Sequence, residues 1–414
     1  MMTRLTENDV HDYIRGICFK NGPPGLVGVE AEWLVTDPSA ADRPVPIDRV
    51  AALLDEAGPP PAGSAVTFEP GGQLELSSPP LPGPAAAHRA VAADLAHVAK
   101  PLNDAGLHLR GVGLDPRRPP RRQLALPRYT AMERFFDRAG PGGRTMMCST
   151  ASLQVCLDIG ADTADAARRW RLVHRLGPVL TAAFANSPLW RGRPTGWRSA
   201  RWAVWAGIDQ GRTRPVGGDD PATAWAEYAL QARLMTIRTA DGRWHGGSGM
   251  AFHEWMRRCR PRPPDHDDLV YHLSTLFPPV RPRGWLELRM IDSLPAPWWP
   301  VPAAVASALV DDGRAADAAE QALDELHGDG AEPDRRTWLS AARDAVADSA
   351  LGRAARRCLE AASEALPRMG AARLAETVDA YRDRYTERGR CPADDATDGP
   401  DAADAPDAIP GGNR

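Results

Sequence analysis

Carboxylates and polar residues occupy every second position in four short stretches of this 414-residue chain. The stretches are Gly28–Trp33, Phe68–Leu76, Ser152–Asp158 and Trp285–Met290. Side chains alternate between the two faces of a β-strand, so each stretch would place its polar residues on one face and its apolar residues on the other. The polar positions are Glu30, Glu32, Gln73, Glu75, Ser152, Gln154, Cys156, Asp158, Glu287 and Arg289. Uncompensated carboxylates on neighbouring strands repel one another, so the pattern predicts a face that binds hard cations such as Mg²⁺.

The alternative interpretation is a solvated sheet face. A single alternating strand with polar residues on one side is typical of an antiparallel sheet exposed to water. Solvated faces usually mix Lys and Arg with Glu, whereas Arg289 is the only basic residue at the alternating positions here. Four acidic stretches together therefore favour metal binding over simple exposure.

A second candidate region is the segment Trp190–Arg214, in which arginines are interleaved with tryptophans. Such a pattern can bind single-stranded nucleic acid, but the net charge of -4 argues against a nucleic-acid partner. Guanidinium groups also pair bidentately with carboxylate and phosphate oxygens, so a small anionic substrate fits better. An arginine-rich surface loop is the alternative. Neither of the two lysines, Lys20 and Lys100, lies in a P-loop motif.

These residues must be positioned by a mixed set of elements. Helical spacing predicts helices over residues 7–20, 84–104, 162–186 and 222–236, and residues 115–128 form a loop rich in Pro and Arg. The helical periodicity of residues 303–386 predicts three or four further helices and no strand. We expect a single catalytic domain over residues 1–390, followed by a disordered acidic tail over 391–414.

The composition also limits the location of the protein. The N-terminus has no apolar h-region, and the chain has no apolar run long enough to span a bilayer, so we expect a cytoplasmic protein without a membrane partner. The six cysteines include no closely spaced pair, which gives no indication of a zinc knuckle or a disulfide framework.

Several of these motifs together resemble the plant and bacterial type of glutamate–cysteine ligase, and most closely its ergothioneine-pathway branch in actinobacteria. The resemblance covers residues 20–300 in order. It is carried by Val27–Trp33, Phe68–Ser77, Thr150–Val155, Ser199 and Arg201 with Trp205 and Asp209, and Thr275–Arg289. The run Phe277–Gly284 is the most specific part.

The resemblance implies an α+β fold, in which a glutamine-synthetase-like curved antiparallel sheet forms a funnel flanked by helices, with a mostly helical C-terminal region. It also implies ATP as co-substrate and two or three Mg²⁺ ions. In the implied reaction the γ-carboxylate of L-glutamate attacks the γ-phosphate of ATP, and the amine of L-cysteine then displaces phosphate to give γ-glutamylcysteine.

The resemblance further assigns roles to individual residues. The implied metal ligands are Glu30, Glu32, Glu69, Glu75, Gln154 and Glu287. Arg289 would hold a phosphate group, Arg201 would hold glutamate or phosphate, and Gln73 would orient a ligand. Gln154 lies where relatives use a polar or histidine ligand, and glutamine is a substitution at that position.

Three alternatives stay open from the sequence. The same scaffold could join glutamate to a different amine, because no pocket for the cysteine side chain is recognisable. It could also be a catalytically silent sensor of nucleotide or amino acid, or a metal-dependent phosphatase. Retention of all five glutamates together with Arg289 argues against the sensor, which would not need a multi-metal cluster.

Overall fold

A central antiparallel sheet carries all four acidic stretches. The computed structural model describes residues 4–239, 244–246 and 249–398. The strands are β1 (Leu26–Thr36), β2 (Ala65–Phe68), β3 (Leu74–Ser77), β4 (Leu81–Pro82), β5 (His108–Arg110), β6 (Ser152–Asp158), β7 (Leu189–Trp190), β8 (Arg193–Pro194), β9 (Thr236–Arg238), β10 (Trp244–Gly246), β11 (Val280–Pro282) and β12 (Trp285–Asp292). The order in the main sheet is β11-β12-β6-β1-β3-β2, while β4 and β5 pair with the two ends of β1.

The register of these strands confirms the predicted alternation. Glu32 on β1 lies opposite Glu75 on β3, and Glu30 lies opposite Gln154 on β6. The intervening apolar residues, among them Val29, Ala31, Leu74, Leu76, Val155 and Leu288, are buried on the other face. One face of the sheet therefore contributes to the hydrophobic core and the other collects the carboxylates.

The stretch Phe68–Leu76 does not form the single strand expected from its alternation. Strand β2 ends at Phe68, and a tight turn follows, in which the Gly72 N–H donates to the Glu69 carbonyl (2.9 Å) and the Glu69 N–H donates to the Gln73 carbonyl (2.9 Å). Gly72 has φ +92°, a backbone conformation that residues other than glycine rarely adopt. The turn places Glu69 at the tip of a hairpin instead of within a strand.

A β-bulge interrupts β12 next to the acidic face. Leu288 pairs with Val155 and Ile291 pairs with Leu153, so β12 has one residue more than β6 over this interval. The extra residue falls at Arg289–Met290. Bulges bend a strand and redirect its side chains, and this one lies at the arginine predicted to hold phosphate.

Helices cover both faces of the sheet. They are α1 (Glu7–Tyr13), continued by a π-helical segment (Ile14–Cys18), α2 (Ile47–Ala57), α3 (Gly83–Asp104), α4 (Pro127–Phe136), α5 (Gly142–Ser149), α6 (Thr163–Ala183), α7 (Ala200–Ile208), α8 (Gln210–Thr213), α9 (Pro221–Gln231), α10 (Phe252–Arg258), α11 (His266–Leu273), α12 (Val301–Asp311), α13 (Gly313–His327), α14 (Arg335–Arg343), α15 (Ser349–Ala365), α16 (Ala372–Arg384) and α17 (Pro392–Thr397). Helices α3, α6 and α12 pack against strands of the sheet. The α+β prediction is confirmed, although five α-helices, and not three or four, lie between residues 301 and 384.

The predicted start of the disordered tail is wrong. Cys391 and Ala393 are fully buried, and residues 392–397 form α17. The Ala393 N–H donates to the Ala185 carbonyl (3.0 Å), and the Arg198 guanidinium pairs with Asp394 (2.9 Å). The acidic composition predicts disorder here, but tertiary contacts hold this segment as a helix. Residues 399–414 of the predicted tail lie outside the described residues.

Among the described residues, no helix is both long enough and apolar enough to cross a lipid bilayer.

Candidate active site

A cavity of about 590 Å³ opens on the acidic face of the sheet. This volume is in the range of sites that bind small molecules, roughly 300–1,000 Å³. Eight of the nine predicted site residues line it, namely Glu30, Glu32, Glu69, Gln73, Glu75, Gln154, Arg201 and Arg289. The ninth, Glu287, is fully buried next to the cavity wall. The structure therefore brings the predicted residues from five separate chain segments to one place.

Three carboxylates gather where β1 meets the β2–β3 hairpin. Glu32, Glu69 and Glu75 each offer an oxygen within 4.8 Å of the others, and we call this group the Glu69 cluster. Glu32 accepts hydrogen bonds from the Ser152 N–H (2.7 Å) and hydroxyl (2.9 Å). Glu75 accepts from Thr67 (2.7 Å) and from the Ser77 hydroxyl. Among the described residues, no hydrogen-bond donor reaches the Glu69 carboxylate.

Three ionised carboxylates without a counterion are electrostatically unfavourable in the Glu69 cluster. Burial raises the pKa of the Glu69 carboxyl well above its usual range, and the charges of Glu32 and Glu75 raise it further. Burial also raises the pKa of Glu32 and of Glu75. A divalent cation would reverse these shifts by favouring the ionised forms. The all-oxygen donor set fits Mg²⁺.

A second group spans β1, β6 and β12. Glu30, Cys156 and Glu287 each offer one ligand atom within 4.8 Å of the others, and we call this group the Glu287 cluster. Burial raises the pKa of Glu30 to about 7, with smaller contributions from Glu287 and Glu75. Burial likewise raises the pKa of the Cys156 thiol well above its ordinary value, so this sulfur is a neutral, soft donor that suits Mg²⁺ poorly. The oxygen donors of this cluster are Glu30 and Glu287.

Arginines surround Glu287. Its carboxylate pairs with Arg281 (2.6 and 3.1 Å), Arg289 (2.9 Å) and Arg283 (3.4 Å). Burial alone would raise the pKa of Glu287, but Arg281, Arg289 and Arg283 together lower it below its usual range. Glu287 is therefore an ionised centre that organises three guanidinium groups beside the cavity.

Gln154 connects the two clusters. Its amide oxygen accepts a hydrogen bond from Arg289 Nη1, and its amide nitrogen donates to Glu32 Oε1 (3.1 Å). The carbonyl oxygen thus contacts an arginine in this structure, which favours a positioning role. That Gln154 binds a metal remains a prediction from the family resemblance.

Two guanidinium groups share one tryptophan. The Arg201 and Arg289 guanidinium carbons lie 5.4 and 5.7 Å from the ring centroid of Trp205. Arg201 Nη2 donates to the Arg289 carbonyl (2.8 Å), and Arg201 Nη1 lies 3.7 Å from Asp292 Oδ1. Arg201 Nε and Nη1 and Arg289 Nε find no hydrogen-bond acceptor in the part of the chain that the structure describes. Such buried donors are costly to leave unpaired, so they indicate an anionic ligand.

Gln73 supports the Glu69 turn. Its amide oxygen accepts from the Gly71 N–H (3.0 Å), and its amide nitrogen donates to the Thr150 carbonyl (2.7 Å). These backbone contacts hold the hairpin tip against the start of β6. The expected role in orienting a ligand is not tested by these contacts.

The sequence pattern did not single out several residues of the site. They are Arg281, Arg283, Ser152 as a partner of Glu32, and Asp292, which is fully buried and accepts from Asn186, Ser187 and Ser199. Arg281 and Arg283 do lie in the specific run before β12, two residues apart from each other. Their approach to Glu287 depends on the β11–β12 register, in which Arg281 is opposite Glu287.

The sequence is similar to one family of known proteins over most of its length. The model of glutamate–cysteine ligase family 2 matches residues 26–407. Glutamate–cysteine ligase EgtA of Mycobacterium tuberculosis strain H37Rv is 40% identical over 402 residues, covering 94% of this chain and 89% of that protein. The chloroplastic glutamate–cysteine ligase of Brassica juncea is 30% identical over 71% of this chain and 61% of its own length.

Solved structures support the fold independently. The glutamate–cysteine ligase of Francisella tularensis superposes with a TM-score of 0.54 at 12% identity, covering 90% of this chain and 84% of that one. At this identity the likeness concerns the fold alone. With the family match over most of the chain and the EgtA relative at 40% identity, this protein belongs to glutamate–cysteine ligase family 2.

Proposed function

We propose that this protein is an ATP-dependent glutamate–cysteine ligase. It joins the γ-carboxylate of L-glutamate to the amine of L-cysteine through γ-glutamyl phosphate, and it releases γ-glutamylcysteine, ADP and phosphate. The product feeds ergothioneine biosynthesis. The observation that carries this proposal is one cavity in which two carboxylate clusters face two arginines with unpaired buried N–H groups.

The carboxylates suit metal-assisted phosphoryl transfer. The Glu69 cluster would hold one Mg²⁺, and Glu30 with Glu287 would hold a second. When bound, Mg²⁺ neutralises charge on the transferring phosphoryl group and on the leaving ADP. The residues themselves contribute fixed positions, because Ser152, Thr67 and Ser77 hold two carboxylates of the Glu69 cluster by hydrogen bonds.

The arginines give the cavity two chemically different ends. Arg281, Arg283 and Arg289 lie at the Glu287 cluster, where the triphosphate of ATP is best accommodated. Arg128 also lines the cavity, and its charge acts on Glu69, as does that of Arg289. We assign the amino-acid substrates to the Glu69 end. The sheet face with its flanking helices would then form the funnel that the family resemblance implies.

The proposed reaction has two steps, transfer of a phosphoryl group to glutamate and transfer of the glutamyl group to cysteine. A γ-carboxylate oxygen of glutamate attacks the γ-phosphorus, and the bond to the ADP oxygen breaks. Arg289 and Arg201 meet the negative charge of the phosphoryl oxygens and of the bound carboxylates with their free N–H groups. The amine of cysteine then attacks the acyl carbon, phosphate leaves, and the amine loses a proton. No residue acts as a covalent nucleophile, because the substrate carboxylate takes that part.

Phosphate release is the direct test. We expect release from ATP and Mg²⁺ only when glutamate and cysteine are both present, with the mass of γ-glutamylcysteine in the product. A panel of other amines at equal concentration is the control for acceptor choice. Faster release with another amine would retain the scaffold and overturn cysteine as substrate. Release without any amine would indicate a phosphatase, and no release under any condition would indicate a sensor.

A further inference from the structure

A buried carboxylate lies next to Arg201, outside the cavity. Asp292 is the last residue of β12, is 1% exposed and does not line the cavity. Its carboxylate accepts hydrogen bonds from the Asn186 N–H (2.9 Å), the Ser187 hydroxyl (2.6 Å) and the Ser199 hydroxyl (3.0 Å). All three neighbours donate, so the site fits an ionised carboxylate, which only accepts hydrogen bonds.

The β-bulge in β12 determines which face Asp292 occupies. Glu287 and Arg289 point to the acidic face, so strict alternation along the strand would place Asp292 on the apolar face. The extra residue of the bulge reverses this, and Asp292 lies opposite Ser152, which is on the acidic face. At the same bulge, the Arg289 carbonyl accepts from Arg201 Nη2 (2.8 Å). One irregularity of β12 therefore gives Arg201 both a hydrogen-bond acceptor and a neighbouring negative charge.

Asp292 acts on the Arg201 guanidinium through its charge and not through a hydrogen bond. Arg201 Nη1 lies 3.7 Å from Asp292 Oδ1, which is too long for a hydrogen bond. Burial lowers the pKa of Arg201, and the charge of Asp292 opposes this effect more strongly than that of Glu32. A buried guanidinium requires such a counter-charge, because an unpaired charge away from water is costly. Arg201 Nε and Nη1 thereby keep their N–H groups without an acceptor among the described residues.

Asp292 also holds the backbone that carries Arg201. Ser187 Oγ accepts from the Arg201 N–H (3.1 Å), and Ser199 Oγ accepts from the next N–H of α7 (3.2 Å). Both serine hydroxyls donate to Asp292, so the carboxylate is connected to the first turn of α7 through two side chains. The backbone and the guanidinium of Arg201 therefore depend on the same carboxylate.

We propose that Asp292 is a positioning residue of the ligase reaction, which holds Arg201 so that its Nε and Nη1 groups are free to bind an anionic group of a substrate. The proposal deepens the proposed function and rests on it. The anionic group is a carboxylate of glutamate or a phosphate of the nucleotide, since both accept from guanidinium N–H groups. Without the charge of Asp292, we expect the guanidinium to turn towards Glu32, the other carboxylate that acts on it, and to offer fewer N–H groups to the substrate.

The test is a double-mutant cycle on ligand binding. Calorimetric affinities of L-glutamate and of MgADP are measured in excess Mg²⁺ for the full chain, Asp292→Asn, Arg201→Met and the double variant. We expect Asp292→Asn to weaken the same ligand that Arg201→Met weakens, by about tenfold to a hundredfold, because a displaced binding group has effects of this size. The other ligand should change by less than about twofold, and Asp292→Asn should have no further effect in the Arg201→Met background.

Asp94→Asn is the matched control for a general loss of stability. Asp94 is a fully buried carboxylate on α3 that does not line the cavity, and it accepts from the backbone N–H groups of Ala62 (2.6 Å) and Ser64 (2.9 Å). Its substitution also leaves buried donors without a charged acceptor, so urea unfolding should show destabilisation. The affinities of both ligands should stay unchanged.

Two results would overturn the positioning role. One is unchanged affinity for both ligands in Asp292→Asn, and the other is equal weakening with and without Arg201, which would show that Asp292 does not act through it. If Asp292→Asn does not fold, the double variant decides, because removal of both partners leaves no unpaired buried charge. A folded double variant supports the proposal, and an unfolded one assigns Asp292 to folding alone. If the unsubstituted protein binds neither ligand, the proposed function is wrong as well.

Discussion

Glu69 has a half-buried carboxylate that accepts no hydrogen bond from the described residues, and its pKa is raised first by burial and then by Glu32 and Glu75. We predict that Glu69→Gln lowers turnover by roughly two orders of magnitude or more, because a neutral amide binds Mg²⁺ weakly. The same change should stabilise the metal-free protein by on the order of 1 kcal/mol, because it removes like-charge repulsion. Turnover and urea unfolding in a chelator measure the two effects.

Glu56→Gln is the control for this prediction, because Glu56 is exposed on α2 away from the cavity. It should change neither quantity. Turnover of Glu69→Gln near that of the unsubstituted protein at limiting Mg²⁺ would contradict the assignment of Glu69 as a metal ligand.

Individual site residues were predictable from sequence to different degrees. The alternation in β1 and β6 predicted that Glu30, Glu32 and Gln154 share a face, because a period of two is enough to establish it. The partners of those residues were not predictable. The contact between Gln154 and Arg289 lies at the bulge around Arg289–Met290. The sequence marks this bulge only by the adjacent apolar pair Met290–Ile291, which breaks the alternation without indicating which side chains come into contact.

Elements with weak local signals depended on tertiary contacts. The sequence of the β2–β3 hairpin has the pattern of one strand, because Glu69 and Gln73 keep the polar spacing across the turn at residues 70–72. The sequence of helix α17 is typical of a disordered tail, because its residues are acidic and include Pro392. The contact of Asp394 with Arg198 joins residues 196 positions apart, which no local pattern reveals.

Helix α17 gives a prediction at this scale. A chain that ends at Asp398 keeps the burial of Cys391 and Ala393 and the Arg198–Asp394 ion pair, whereas a chain that ends at Arg390 loses all three. We expect the shorter chain to lose about 2 kcal/mol of unfolding free energy, mainly through exposure of apolar surface. The chain ending at Asp398 should match the full chain. Urea unfolding of the three proteins measures this, and equal midpoints for both truncations would show that α17 does not contribute to stability.

At the scale of the whole molecule, the carboxylates divide into two classes with opposite pH dependence. The folded-state pKa of Glu30 is raised from 4.5 to about 7, so the folded protein retains a proton there that the unfolded chain has lost. Stability of the metal-free protein therefore falls as pH rises from about 4.5 to about 7 on account of this group. Glu69, with its pKa also raised, acts in the same direction. Glu287, with its pKa lowered, contributes stability that is lost only at acid pH.

Buried histidines act in the opposite direction over part of this range. Burial lowers the pKa of His174 to about 4 and of His272 to about 3, so the unfolded chain binds protons there that the folded protein does not. Their contribution makes stability rise with pH up to about 6.5. The pH dependence of the unfolding free energy would therefore combine two opposing contributions, from the raised carboxylates and from the buried histidines. A second variable is needed to separate the contribution of the acidic clusters.

Mg²⁺ is that variable, because it acts on the carboxylates and leaves the buried histidines unchanged. We predict that the difference in unfolding free energy between the Mg²⁺-loaded and the chelated protein grows as pH rises from about 5 to about 8, since the metal requires ionised ligands. Glu69→Gln should flatten this growth, whereas Glu56→Gln should leave it intact. If this difference is constant across the range, Mg²⁺ binds where no carboxylate with a raised pKa titrates. Neither cluster would then be the metal site.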